Sequence, residues 1–203
     1  MVGSGVIPVA LHKGKVYYLF GREGSAERDK NFDWGDFGGG SKPGENVMEI
    51  TTREGCEELN GFFGDKKDFK KYIMKNKIDE FAYDKRYSYL IKIDYDEKLP
   101  YYFNNNYKFI MEYLKPLADH PTNGLFEKSE IRWFTADDLK KNRNIFREYY
   151  RHVIDIIVNN DKKTLGKLKR NSKPVKVATR FNYSKSKGQK QKKSVQKTRK
   201  NRK

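Results

Sequence analysis

Glu54, Glu57 and Glu58 stand at i, i+3 and i+4 in a run that reads as a helix from Asn46 to Leu59. At about 100° per residue the three carboxylates share one narrow arc. Like charges at this spacing destabilise an isolated helix, and a hard divalent cation offsets that cost. Mg2+ takes oxygen ligands octahedrally and shares a few carboxylates with substrate phosphates, so this face suits chemistry at a diphosphate. Arg53, four residues before Glu57, is placed to orient it through an ion pair. For the helix taken alone, a solvated charged face is an equally good account.

The spacing outside the helix separates the two accounts. From Gly39 the chain runs five residues to Glu45, seven more, and then Arg53-Glu54-Gly55-Cys56-Glu57-Glu58-Leu59-Asn60-Gly61. This resembles the Nudix box, G-x5-E-x7-R-E-u-x-E-E-x-G-u with u a bulky apolar residue, with every charged position at the right distance. Trp34…Phe37-Gly38-Gly39 is similar to the strand and Gly-Gly turn that precede the box in that family, although proline is more usual where Phe37 stands. Glu130-Ile131-Arg132-Trp133-Phe134 followed by Thr135-Ala136-Asp137-Asp138-Leu139 is similar to the family's closing strand and helix start. Three box positions depart from the pattern: Gly55 at the first apolar position, Asn60 for glycine and Gly61 at the second apolar position. They bear on packing, with the helix expected to sit close to its sheet at Gly55, and none touches a carboxylate.

The resemblance implies a Nudix-type α/β/α sandwich with a mixed central sheet. It implies Glu54, Glu57 and Glu58 as metal ligands, the carbonyl of Gly38 as a further oxygen, and Mg2+ as the cofactor with Mn2+ as the alternative. Gly39, Glu45 and Arg53 would hold loop and helix in register. Family members often add a distant carboxylate as ligand or base. Glu127 is the first candidate by position and Glu130 the second, and either is equally readable as a plain surface acid; otherwise Glu54 is the base, being nearest the attacking water.

Around this centre the chain supplies elements of both kinds. Val6 to Leu11 and Val16 to Phe20 read as a hairpin turning at His12-Lys13-Gly14-Lys15. Gly21 to Phe32 reads as a loop, and Trp34 to Glu45 as a short aromatic strand entering a glycine-rich turn. The central helix has Asn46 as N-cap with Glu49 three residues on, and stops at Asn60-Gly61, the residue types that best tolerate a left-handed conformation. Met48, Thr52, Gly55, Cys56 and Leu59 form its packing face. A surface helix over Asp68 to Lys77, a strand over Tyr87 to Tyr95, a helix near Tyr107 to Leu114, a loop through Pro116, Pro121 and Gly124, and a closing amphipathic helix over Phe146 to Val158 complete the reading.

The chain of 203 residues has 44 Lys+Arg against 27 Asp+Glu, a net charge of +17, yet 18 of those basic residues lie in the 42 positions from Lys162 to Lys203, which hold no acid. Residues 1–161 therefore carry 26 basic and 27 acidic side chains. The expected organisation is one domain over 1–161 followed by a disordered basic tail over 162–203, where hydrophobic periodicity ends. A globally basic nucleic-acid-binding fold is excluded. The single cysteine, Cys56, rules out an intrachain disulfide framework. No apolar run of about 18 residues and no signal-peptide pattern is present, so an intracellular protein, cytoplasmic or nuclear, with no membrane contact is expected. Two functions follow. One is a Mg2+-dependent Nudix hydrolase acting on a nucleoside diphosphate linked to another group, with RNA, capped RNA included, as a partner held by 162–203. The other is a catalytically silent nucleic-acid-binding module working through that tail, and the tail reads equally as a localisation or solubilising arm.

Overall fold

A computed structural model describes residues 1–24, 34–118 and 124–170. The opening hairpin forms as read. β1 (Gly3–His12) pairs antiparallel with β2 (Lys15–Glu23) from Val9–Tyr18 to His12–Lys15. Lys13 and Gly14 turn it with φ of 46° and 79°. Beyond Tyr18 the hairpin splays, and a bent strand enters the gap. β3 (Trp34–Gly35) pairs with β2 and β4 (Phe37–Gly40) with β1. The bend falls at Asp36, whose side chain is buried against Arg86 and Ser88.

β6 (Arg86–Lys92) runs parallel to β1, β5 (Lys77–Tyr83) caps β6, and β7 (Lys128–Phe134) lines the outer edge of β2. The sheet is mixed, because the β1–β6 pairing is parallel and the others are antiparallel.

Alternating strand residues feed two cores. Val6, Ala10, Leu19, Phe37 and Ile91 face α1 (Val47–Glu58), α2 (Lys66–Asn76) and α3 (Leu99–Tyr113), whose Phe69, Ile73 and Phe103 fill that side. Ile7, Val9, Tyr18, Phe20 and Leu90 face α5 (Ala136–Lys141) and α6 (Arg151–Arg170), with Leu139, Val153, Ile154 and Ile157. A four-residue helix, α4 (Lys115–Ala118), follows α3. The architecture is an α/β/α sandwich on a mixed sheet.

α1 has the expected ends. Asn46 accepts from the Glu49 amide at 3.1 Å, and the Glu49 carboxylate accepts from the Asn46 amide at 2.9 Å. Asn60 and Gly61 leave the helix with φ of 50° and 67°. Gly55 lies against Phe69 and Val6, where a Cβ would come within 2.7 Å of the ring and 3.0 Å of the valine. The helix therefore sits closer to the sheet than a bulky residue permits.

Several boundaries differ from the sequence reading. β5 has no counterpart in it: it is an edge strand, mostly exposed, without hydrophobic alternation. α3 begins at Leu99, eight residues before the expected start, with Pro100 in its first turn where a missing N–H costs nothing. Residues 21–23 belong to β2; the rest of the expected loop, apart from Gly24, lies outside the described residues, as does Pro121. Pro116 sits in α4.

The closing helix starts at Arg151 and runs to Arg170, and Thr164 and Leu168 on its last turns are buried. Residues 162–170 thus belong to the folded body, and the domain boundary moves past 161. The remainder of the expected tail, 171–203, lies outside the described residues. Among the described residues no helix is long and apolar enough to cross a membrane.

Candidate active site

The splayed hairpin places α1 over the edge of β4, and the acidic helix face meets the Gly38–Gly40 backbone there. Arg53 organises this junction. Its Nε and Nη2 bond the two Glu45 oxygens at 2.6 and 2.7 Å, Nη2 also reaches the Gly40 carbonyl at 3.0 Å, and Nη1 bonds Glu54 at 2.5 Å. The same Nη1 lies 3.6 Å from Glu57. One guanidinium thus ties the glycine-rich turn, the loop acid and two helix carboxylates together.

Glycines on both sides make room for those carboxylates. A Cβ on Gly39 would lie 2.5 Å from the Glu54 carboxylate, and one on Gly124 would lie 2.7 Å from that of Glu57. Glu57 also pairs with Lys66 at 2.7 Å. Glu127 stands on the rim. Partial desolvation, reinforced by the charges of Glu23, Glu54 and Glu57 and opposed by Lys128, raises its pKa from the ordinary glutamate value. The alternative distal acid, Glu130, is directed to Arg132 at 2.8 Å and Arg22 at 4.0 Å.

Glu58 is placed differently from its helical neighbours. It is only 4% exposed, accepts from the Gly38 amide at 2.6 Å and pairs with Lys128 at 3.0 Å. Lys128 in turn pairs with Glu23, and Glu23 with Arg147 at 2.5 Å. Burial drives the Glu58 carboxyl upward while Lys128 opposes it. Burial lowers Lys128, but Glu58 and Glu23 outweigh it and hold the ammonium charged.

Glu23, Lys128 and Arg147 carry no signal in the sequence. They come from β2, β7 and the segment before α6, and no local spacing connects them. A further group without such a signal, buried Asp36 with Arg86, Ser88 and Tyr150, lies behind β4. A cleft of about 430 Å3 opens beside it, along Gly38–Gly40 and between Arg86, Arg147 and the half-exposed Tyr149.

Other residues stay out of the chemistry. Burial raises the Cys56 thiol, whose Sγ faces the Gly64 carbonyl at 3.5 Å. Phe20 and Trp34 are core residues, and Tyr89 is 9% exposed. No three metal-ligating side chains among the described residues converge into a finished cluster. Glu54 and Glu57 nevertheless offer hard oxygen donors, and the two glycines shape a cradle that a Cβ on either would fill. Glu45, Glu54 and Glu57 pair with Arg53 and Lys66, three acids to two cations, and Glu127 adds its acid to the same field, an arrangement that suits a divalent cation.

No family model matches the chain. The uncharacterized protein L534 of Acanthamoeba polyphaga mimivirus is 36% identical over 61 residues, 30% of this chain; the match spans about a fifth, 20%, of that relative's length. Among solved structures, a Caenorhabditis elegans Ap4A hydrolase in a binary complex overlaps with a TM-score of 0.47 at 15% identity, covering 81% of this chain and 98% of that one. A bifunctional NMN adenylyltransferase/ADP-ribose pyrophosphatase from Francisella tularensis, complexed with AMP and a manganese ion, gives 0.45 at 14% identity over 78% of this chain and 41% of that one. MERS1 of Trypanosoma brucei, in a complex with RNA, gives 0.43 at 13% identity, over 82% and 63%. At such overlaps and identities the functional reading rests on the site itself.

Proposed function

We propose that this chain is a Nudix-type pyrophosphohydrolase that uses a divalent cation to cleave a diphosphate linkage between a nucleoside and another group. The observation that carries the reading is the joint placement of Glu54 and Glu57 by Arg53 against Gly39 and Gly124, in the box spacing that begins at Gly39. Glu54 and Glu57 would hold the cation, Mg2+ or Mn2+, with the Gly38 carbonyl as a backbone donor. When bound, the ion draws charge off the phosphate oxygens and assists formation of the nucleophile.

The chain's own residues do the rest. Arg53 and Glu45 keep the turn and α1 in register, so the carboxylates need no reorganisation as the reaction proceeds. Glu127 accepts the proton of the attacking water, and its raised pKa is the direction a base working near neutral pH requires. A water oxygen bonds to one phosphorus, the bridging P–O bond breaks, and the second phosphoryl group leaves with its oxygen. Lys85, Arg86, Arg147 and Tyr149 line the cleft along Gly38–Gly40, with Arg86 held by Asp36 and Arg147 by Glu23, and this cleft is where the nucleotide portion would lie.

Capped RNA is the substrate that the charge distribution favours, since 171–203 carry 13 Lys and Arg and no acid. The second reading, a non-catalytic nucleic-acid-binding module, draws on that same charge. It leaves the crowding of Glu54 and Glu57 without a use. The test is a hydrolysis screen with Mg2+ across capped RNA, dinucleoside polyphosphates, nucleotide sugars and nucleoside triphosphates, with a chelator control. Turnover that needs the metal and disappears in Glu54→Gln supports the enzyme; RNA binding without turnover of any compound favours the module.

A further inference from the structure

Glu58 shares a helix with Glu54 and Glu57 but not their surroundings. Its carboxylate is enclosed, with one oxygen on the Gly38 amide and the other on Lys128. Lys128 is itself only 1% exposed. Its stem crosses β2 at Gly21, where a Cβ would come within 3.1 Å of both Cγ and Cδ of the lysine. The missing side chain at Gly21 is what lets a lysine from β7 pass over β2 toward α1. Beyond Lys128, Glu23 and Arg147 continue the chain of ion pairs. Acids and cations thus alternate along an open chain, Glu58–Lys128–Glu23–Arg147, one cation to each acid, and the acidic groups outside it are Glu54, Glu57 and Glu127.

We propose that Lys128 is the resident cation of Glu58: it withholds that carboxylate from the metal set and makes Glu58 a positioning residue that ties α1 to β4 at Gly38. The metal arm of this inference rests on the proposed metal-dependent reading; the Lys128–Glu58 pairing does not. The physical reason is charge accounting in a buried place. A carboxylate with no counter-charge is costly to bury, and three uncompensated carboxylates on one helix would have to recruit cations from solution or stay protonated. Lys128 removes one of the three from that competition. The remaining two, flanked by Glu127, form a smaller and more exposed set in which a cation can exchange with solvent and meet a substrate phosphate.

The experiment is a Mn2+ titration of the full chain, followed by the electron paramagnetic resonance signal of free Mn2+. It compares wild type with Glu54→Gln, Glu57→Gln, Glu58→Gln, Lys128→Met and the double variant Lys128→Met with Glu58→Gln. Glu54→Gln and Glu57→Gln should each weaken Mn2+ binding by about tenfold or more, at least as much as losing an outer-sphere partner does. Glu58→Gln should leave it essentially unchanged. Lys128→Met should tighten binding or add a second equivalent of Mn2+, and the double variant should lose that gain.

The inference is overturned if Glu58→Gln weakens Mn2+ binding as Glu54→Gln does, or if Lys128→Met gains nothing. If instead Glu54→Gln and Glu57→Gln leave Mn2+ binding unmoved while Lys128→Met gains a Glu58-dependent site, the Lys128 inference stands and the metal assignment of Glu54 and Glu57 fails. Where Lys128→Met does not fold, Lys128→Gln repeats the gain arm with a polar side chain. A thermal-melt cycle over Lys128 and Glu58 in chelator then adds a metal-free arm: strong coupling supports the pairing, and additive losses overturn it.

Discussion

Arg53 grips Glu45 with two nitrogens, Nε at 2.6 Å and Nη2 at 2.7 Å, across the turn that separates β4 from α1. The bond holds the Glu45 carboxyl down from the ordinary 4.5 to about 2, with the Arg53 hydrogen bond as the largest cause. A depressed folded-state pKa gives stability that is fully present above the unfolded value and is lost as pH falls through the folded one. Thermal melts of wild type should therefore lose more stability between pH 4.5 and about 2 than those of Glu45→Gln. Parallel curves would show that the pair contributes nothing to the pH dependence. Arg53→Lys keeps the charge but not the fork, so it should lower activity as well as stability.

Two glycines on opposite sides of the site make a contrasting pair. The nearest atoms to a Cβ on Gly39 are those of the Glu54 carboxylate, the far end of a side chain that can shift. Gly39→Ala should fold almost normally and lose hydrolysis, because Glu54 has to leave its place. A Cβ on Gly55 meets the Phe69 ring at 2.7 Å in a packed core. Alanine regains about 1 kcal/mol of helix propensity there, against an overpacking cost of about 1–3 kcal/mol. Packing should win, giving a lower melting temperature with Glu54 and Glu57 still in place. A more stable Gly55→Ala would mean that α1 can lift off the sheet at no cost.

How much of this is legible in the sequence depends on how local the signal is. The ends of α1 are, because the capping box of Asn46 and Glu49 and the left-handed Asn60-Gly61 stop each act within four residues. That Arg53 and Glu45 hold loop and helix in register is what the family resemblance implies; the two-nitrogen pairing itself comes from the structure. The seclusion of Glu58 is not legible: a helical wheel groups it with Glu54 and Glu57, and the groups that enclose it, the Gly38 amide and Lys128, come from β4 and β7. β5 escapes because exposed Glu80, Ala82 and Tyr83 on an edge strand carry no alternation. The early turns of α3 are hidden by Pro100 and by Asn104-Asn105-Asn106, poor helix formers held in place by packing. The last turns of α6 look like tail because Lys162, Lys163, Lys167 and Lys169 dominate the composition around the buried Thr164 and Leu168.

Glu54→Gln and Glu57→Gln should each reduce kcat by about two orders of magnitude or more, the scale on which single electrostatic groups act in catalysis, with near-native circular dichroism. Normal hydrolysis in both variants would remove the metal assignment.

Glu127→Gln and Glu130→Gln decide the distal acid. Glu127 faces the acidic cluster and Glu130 faces Arg132 and Arg22. Glu127→Gln should slow hydrolysis and abolish the rise of rate with pH that a base of raised pKa produces, whereas Glu130→Gln should change neither. The opposite result would make Glu130 the base.

Truncation at two points separates folding from nucleic-acid binding. A chain ending at Arg170 keeps all of α6 and loses 13 Lys and Arg. It should melt as wild type does, hydrolyse a free nucleotide at a similar rate, and bind RNA weakly. The log–log salt dependence should flatten by about 0.7 for each phosphate that is no longer neutralised. A chain ending at Asp161 additionally loses Leu168, 1% exposed, and the pairing of Lys167 with Asp79 at 2.8 Å. Removing one fully buried leucine costs about 1.5–3 kcal/mol, so this shorter chain should melt measurably lower, with no further fall in RNA affinity beyond that expected of five fewer cations. If the chain ending at Arg170 binds RNA as tightly as the full protein, the basic segment is not the RNA-binding element, and the cleft lined by Lys85, Arg86, Arg147 and Tyr149 becomes the surface to test.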